Sequence, residues 1–327
     1  MIARSEKGIA RILEKLDSKI NSGQYYEAHQ LYRTLYFRYS NLKKYPELLQ
    51  LLYQGSKVLL EHDQMSSGGD LANVMVEVLK ESKLRPTEEW IMKIVEIFAL
   101  MKDNFPEKDS FILNSVKWSM DGSNKGSPLL HQKIAEIYWN QKKYLMAHKH
   151  FLNSCNGVVY ATMLIEMQTT MALKNELDLF IAQVVLQFLA RNNLAMARST
   201  FNEYTKSHPK IKCDKHPYEW PLLNFLWFLM EAIETKNREQ FNSLKKLYEP
   251  NLKRDANYAG YLETIGKVWF NIAPPSRNTS RMPKSMLGNL LGSLMRDPGP
   301  VDNEEYDDDD DDTDEYTLAT SNAPDLD

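Results

Sequence analysis

The chain has 327 residues, 43% apolar, with two cysteines and a net charge of −4, enough apolar content for one large core or two modest ones. Cys155 and Cys213 lie too far apart and are too few for a disulfide framework, which fits a reducing compartment. The charge is uneven: residues 297–327 hold 14 acids and no Lys or Arg, leaving 30 acids against 40 bases in 1–296, a basic body with an acidic tail that would screen it.

The first residues, "MIARSEKGIARILEKL", lack a continuous apolar core, and Glu6 and Glu14 oppose a mitochondrial presequence. Ile9, Ile12, Leu13, Leu16 and Ile20 then form a helical stripe that Asn21-Ser22-Gly23 breaks. The next stretch, "QYYEAHQLYRTLYFRY", places Tyr25, Ala28, Tyr32, Leu35, Tyr36 and Tyr39 on one helical face. Its large–small–large spacing of three and four recurs at Tyr144, Ala147 and Phe151, and at Leu194, Ala197 and Phe201. A weaker copy is Phe241, Leu244 and Tyr248. A small residue lets two helices approach while the large ones fill the neighbouring groove. The expectation is an all-α solenoid of degenerate, tetratricopeptide-like helical hairpins.

Hairpin breaks are expected at 42–47, 63–70, 83–89, 102–108, 120–128 and 207–221. The longest apolar run, "PLLNFLWFLMEAI" (221–233), has 13 residues, short of the roughly 20 a bilayer requires; a soluble cytosolic protein without direct membrane insertion is the expectation. Beyond "FNIAPPSRNTSRMPK" one apolar island remains, "SMLGNLLGSLM", at helical spacing. The acidic residues after Pro298 are read as a disordered tail.

Catalytic motifs do not stand out. "GSNKGS" (122–127) lacks phosphate-loop spacing and reads as a loop, and there is neither G-x-S-x-G nor H-E-x-x-H. His208, Cys213 and His216 are three potential ligands where a structural zinc site takes four, so a solvated loop is expected in place of a metal site. Lys and Arg are dispersed, without a basic block or an RNA-binding motif, which argues against nucleic acid. These readings favour a non-enzymatic chain without cofactor or metal that works through its surfaces.

Five stretches carry a resemblance: "YYEAHQLYRTLYFRY" (25–39), "GGDLANVMVEVL" (68–79), "AQVVLQFLARNN" (182–193), "PLLNFLWFLMEAI" (221–233) and "MLGNLLGSLM" (286–295). They resemble the Get four family, scaffold subunits of the guided-entry pathway for tail-anchored membrane proteins. The resemblance implies a right-handed solenoid with an N-terminal half over 1–140 that docks the targeting ATPase. It also implies a C-terminal half over 141–273 that holds a ubiquitin-like adaptor or the Bag six scaffold. A linker with a short apolar helix (274–296) and the disordered tail (297–327) complete the expected organisation. The implied role is passage of tail-anchored proteins from an upstream chaperone to the ATPase, with triage of mislocalised membrane proteins. The alternatives are a generic helical-repeat adaptor of another complex, or a basic solenoid associated with nucleic acid.

On a helical wheel Tyr26, His29, Arg33 and Phe37 share one flank of the 25–39 helix. Tyr26 and Phe37 are expected to pack on an adjoining hairpin, and His29 and Arg33 to be exposed. The resemblance assigns this flank to the ATPase, with His29 and Arg33 as candidates and Arg38, which points nearly opposite His29, beside them. Asp70 matches a family position near that surface; as Gly-Gly-Asp before an apolar run it also reads as a helix N-cap. Glu77 lies on the same helix. For the C-terminal partner the candidates are Leu222, Leu223, Phe225, Trp227 and Phe228, with Tyr258, Tyr261 and Trp269 extending the groove. The 221–233 helix is either covered by its own neighbours or left with one side for a partner.

Overall fold

A computed structural model describes residues 2–272 apart from positions 104, 123, 172–175 and 214. The chain divides into two units, Met1–Arg296 and Asp297–Asp327, and every described residue belongs to the first. The apolar island at 286–295 and the acidic tail lie outside the described residues.

Fifteen helices and no strands occur among the described residues. The first six are α1 (Ile2–Asn21), α2 (Tyr25–Asn41), α3 (Tyr45–Glu61), α4 (Met65–Glu81), α5 (Glu88–Leu100) and α6 (Pro106–Trp118). Then come α7 (Pro128–Asn140), α8 (Tyr144–Phe151), α9 (Gly157–Met171), α10 (Leu177–Ala190) and α11 (Leu194–Ser207). The last four are α12 (Pro221–Glu234), α13 (Arg238–Leu247), α14 (Glu249–Leu252) and α15 (Asn257–Phe270). Most chain neighbours pair, and in the first half helices also pack on the one two places along: α2 on α4, α3 on α5, α4 on α6, α5 on α7. Short connections make chain neighbours antiparallel, so this double pairing is the solenoid stack read from the periodicity.

The recurring spacing does the packing expected of it. Ala28, Tyr32, Ala147, Phe151, Ala197 and Phe201 are all buried, as are Phe241 and Leu244 of the weaker copy. Each buried ring contributes about 1.5–3 kcal/mol relative to exposure.

The hairpins turn by one repeated device. Gly23, Lys43, Asp63, Lys83, Lys142, Asn192 and Lys236 have φ between 50° and 72°, the left-handed region. At each, two backbone bonds close the preceding helix. Gly23 N–H donates to Ile20 C=O (3.0 Å) and Gln24 N–H to Lys19 C=O (2.9 Å); Lys142 and Lys143 repeat the pair to Trp139 (2.8 Å) and Tyr138 (2.9 Å). This Schellman geometry satisfies carbonyls that a helix end leaves unpaired. At all but Lys83 the next helix begins two residues later.

The break expected across 63–70 is shorter than that. Asp63 makes the turn, and α4 starts at Met65 with both glycines inside it. A Cβ at Gly68 would stand 2.7 Å from Leu60 Cγ and 3.1 Å from the Leu60 backbone nitrogen. Gly68 therefore serves the close approach of α3 and α4. Asp70 sits in the second turn of α4, so the N-cap reading is corrected.

From α9 onward the stack reorganises around α10, which packs on α9, α11, α12 and α15. Every residue from Leu177 to Leu189 is buried.

Because nothing lies within 4 Å of an added Cβ at Gly23, Gly23→Ala isolates the left-handed backbone penalty. It is expected to lower stability by about 1–2 kcal/mol, and Lys43→Gly to raise it by roughly 1 kcal/mol. Urea midpoints of the two variants check both signs.

Candidate functional site

The flank of α2 singled out from the sequence is organised by Asp70 of α4. His29 donates from Nε2 to Asp70 Oδ2 (2.7 Å), and Arg33 Nη1 lies 3.7 Å from the same oxygen. The expectation that His29 is exposed is corrected: only 15% of its side chain meets solvent. It sits at the edge of the buried face, where α4 packs against α2 and brings the carboxylate within reach. The His29 hydrogen bond, with the Arg33 charge behind it, holds Asp70 below the usual aspartate range against the opposing effect of partial burial. Arg33 also lies over the Tyr36 ring, 5.8 Å from its centroid.

Tyr26 and Phe37 do not pack on a neighbouring hairpin as expected; they are 73% and 58% exposed. Positions 26, 33 and 37 fall within about 40° on the wheel, on a stripe that α1, α3 and α4 leave uncovered. Two aromatic side chains thus flank Arg33 in solvent. Their distance from the buried stripe was the available signal, and it was outweighed by their apolar character. Arg38 is exposed and leans toward α1, where a Cβ on Gly8 would come within 2.7 Å of its Nη1. Glu77 is exposed two turns beyond Asp70.

At the other end, the C-terminal candidates separate into two groups. Leu222, Leu223, Phe225 and Tyr258 are fully buried by the chain itself, so of the two readings left open for 221–233, its own neighbours cover that face, and these four are core. Trp227 and Phe228 are half-buried, with the His216 ring stacked on Trp227 at 4.4 Å and edge-on to Phe228 at 4.8 Å. Tyr261 and Trp269 are half-buried too, and both bond to α10. Gln183 and Gln187 donate from Nε2 to Tyr261 Oη (2.9 and 3.0 Å), and Trp269 Nε1 donates to Leu189 C=O (2.7 Å).

Sequence reasoning missed the polar pinning of α10. Asp178, fully buried, receives both Arg254 amino groups, Nη1 to Oδ2 at 2.5 Å and Nη2 to Oδ1 at 3.1 Å. Tyr204 donates to Leu177 C=O (2.9 Å) and Tyr258 to Leu179 C=O (3.3 Å).

The three potential zinc ligands are engaged separately. His208 is buried with Nε2 3.0 Å from Gln168 Oε1, the Cys213 thiol donates to Lys215 C=O, and His216 stacks on Trp227. Among the described residues no group of three or more His, Cys, Asp or Glu is placed to hold a metal ion.

These features define a class: an α-solenoid of degenerate hairpins with an aromatic and cationic face on its second helix. Residues 42–295 match the family model described as Golgi to ER traffic protein 4, and the chain belongs to this family. The "Golgi to ER traffic protein 4 homolog" of Xenopus tropicalis is 40% identical, over 94% of this chain and 92% of that protein. The Homo sapiens homolog is 39% identical, over 92% and 91%. A crystal structure of C. therm. Get4 shares the fold, with a TM-score of 0.75 over 88% of this chain and 95% of that one at 24% identity.

Two measurements follow from this geometry. Asp70 contributes stability above its unfolded pKa that is lost as pH falls through the depressed folded value; in carboxyl NMR it is expected to titrate below ordinary aspartates and to move up in His29→Gln. Arg254→Met leaves a buried carboxylate without its partner and is expected to cost about 3–5 kcal/mol, read as a lower denaturation midpoint.

Proposed function

We propose that the chain is a non-enzymatic scaffold in the post-translational targeting of tail-anchored membrane proteins to the endoplasmic reticulum. Its N-terminal half, 1–140, docks the targeting ATPase through the α2–α4 face. Its C-terminal half, 141–273, holds a ubiquitin-like adaptor or a Bag six scaffold. The same assembly supports triage of mislocalised membrane proteins. Family membership supports the pathway, and the cytosol is the compartment in which such a scaffold would work. No helix among the described residues is long and apolar enough to cross a membrane.

The observation that carries the docking reading is the stripe of Tyr26, Arg33 and Phe37. Exposed aromatics beside an arginine are the side chains that dominate protein interfaces. The His29–Asp70–Arg33 network holds the guanidinium between them at little cost in side-chain freedom on binding. Asp70 and Glu77 add negative charge on α4, so the face offers both signs to a partner and sets its register. For the C-terminal partner the accessible candidates are Trp227, Phe228, Tyr261 and Trp269, whose half-buried rings are already oriented by His216 and α10.

Titration of the full chain with the ATPase tests the N-terminal half. Tyr26→Ala and Arg33→Glu are each expected to weaken binding roughly ten-fold, about 1.4 kcal/mol, and Arg33→Glu to reduce its dependence on salt as well. Unchanged affinity in both variants would remove the α2 face from the interface.

A further inference from the structure

At the far end of α4 from Asp70, about 15 Å along the helix, lies a feature the docking reading does not use. A hollow of about 270 Å³ opens where the 82–87 connection meets the C-terminal end of α6. Lys80, Lys83, Arg85 and Lys117 surround it. Among the described residues none of these four has a carboxylate within ion-pair distance, although Lys57, Lys93, Lys102, Lys108, Lys133, Lys142 and Lys143 all do. Lys80 instead donates to the neutral Asn114 Oδ1 (2.9 Å). Partial burial, and then the charge of Lys117, hold Lys80 below the ordinary lysine range against the opposing charge of Glu77. Asp121 is the single carboxylate among the residues lining the hollow.

The floor is apolar and fixed. Leu84 and Met120 line it and are 37% and 40% exposed. Trp118 Nε1 donates to Leu84 C=O (2.9 Å), tying the 82–87 connection to α6, and Thr87 caps α5 at its other end. Lys83 takes the left-handed turn that starts this connection.

We propose that this hollow is a docking site for an acidic peptide segment of a partner protein that carries one large apolar side chain. The apolar side chain seats on Leu84 and Met120 while its acidic neighbours meet the four cations. Docking offsets the like-charge repulsion between Lys80 and Lys117 and supplies the carboxylates this cluster lacks. A nucleic acid fits less well. Single strands bind by stacking bases on open aromatic faces, and Trp118, the aromatic side chain here, is buried.

The test uses the full chain and a fluorescein-labelled peptide of ten Asp and Glu residues with a central Leu, followed by anisotropy. Saturable binding is expected, weakening roughly ten-fold in K80Q/K117Q and in K83Q/R85Q, and steeply with salt. Replacing the central Leu of the peptide by Ser, or Met120→Ser in the protein, is expected to weaken binding several-fold. Unchanged thermal melting of these surface variants separates loss of the site from loss of the fold. The proposal is overturned if neither cation pair affects binding, or if the Leu and Ser peptides bind alike. Equal or tighter binding of a single-stranded oligonucleotide of matched charge also overturns it, by assigning the cluster to polyanions in general. The residues involved are distinct from the α2 face, so this outcome and that of the ATPase titration are independent.

Discussion

A helix enclosed on every side needs partners for the polar groups it buries, and α10 sets that constraint for the C-terminal half, where Gln183 Oε1 is left without a hydrogen bond among the described residues. Its carboxylate at Asp178 tolerates burial because the forked guanidinium of Arg254 meets both oxygens. Tyr204, Tyr258, Tyr261 and Trp269 each present an apolar body to the core and a polar tip to α10. The bonds fix the register of α11 and α15 on the central helix, because a slide by one turn would strand every one of them. The rings that line the C-terminal surface are thereby held by the same contacts that hold the core.

The hairpin turns along the chain, from Gly23 to Lys236, follow a different rule. There the register comes from the turn: at all but Lys83 a left-handed residue closes one helix and launches the next within two residues. Five of the seven such positions are Lys or Asp, residues that take this conformation at a cost of about 1–2 kcal/mol relative to glycine. Close helix packing then fixes the spacing, through Ala28 within one hairpin and Gly68 in the next. With the frame set by backbone and small residues, the outer flank of α2 has no structural duty, and its aromatics are free to stand in solvent.

This difference explains what the sequence disclosed. Periodicity and the proline-marked breaks gave the all-helical stack, since both report on the buried stripe and on backbone that cannot continue a helix. The turns at Lys142 and Lys236 carry no such mark, because a lysine at positive φ looks like any solvated lysine, whereas Lys43 and Lys83 fall inside breaks that Pro46 and Pro86 announce. Gly-Gly-Asp at 68–70 was misleading for the converse reason: glycine signals a break and a close approach equally, and only the position of Leu60 distinguishes them. Of the candidate site, Asp70, His29 and Arg33 were named without their joint geometry, which depends on α4 lying beside α2. Tyr26 and Phe37 were placed wrongly because a wheel ranks faces of one helix and cannot show which face lacks a neighbour. The half-buried and fully buried members of the C-terminal set were inseparable for the same reason.

Charge completes the argument. With 40 bases and 30 acids in residues 1–296, pairing alone cannot consume the cations. Many acids are placed between helices: Glu96 joins α5 to α3 through Lys57, and Glu231 and Glu234 join α12 to α11 through Arg198. Exposed pairs of this kind contribute little each, up to about 1 kcal/mol, yet they remove acids from the rest of the surface. Four of the surplus cations, Lys80, Lys83, Arg85 and Lys117, meet at the junction of α4, α6 and the connection to α5. Four cations set around one apolar floor give that charge a local shape, and charge over an apolar floor selects partners more sharply than a diffuse positive field.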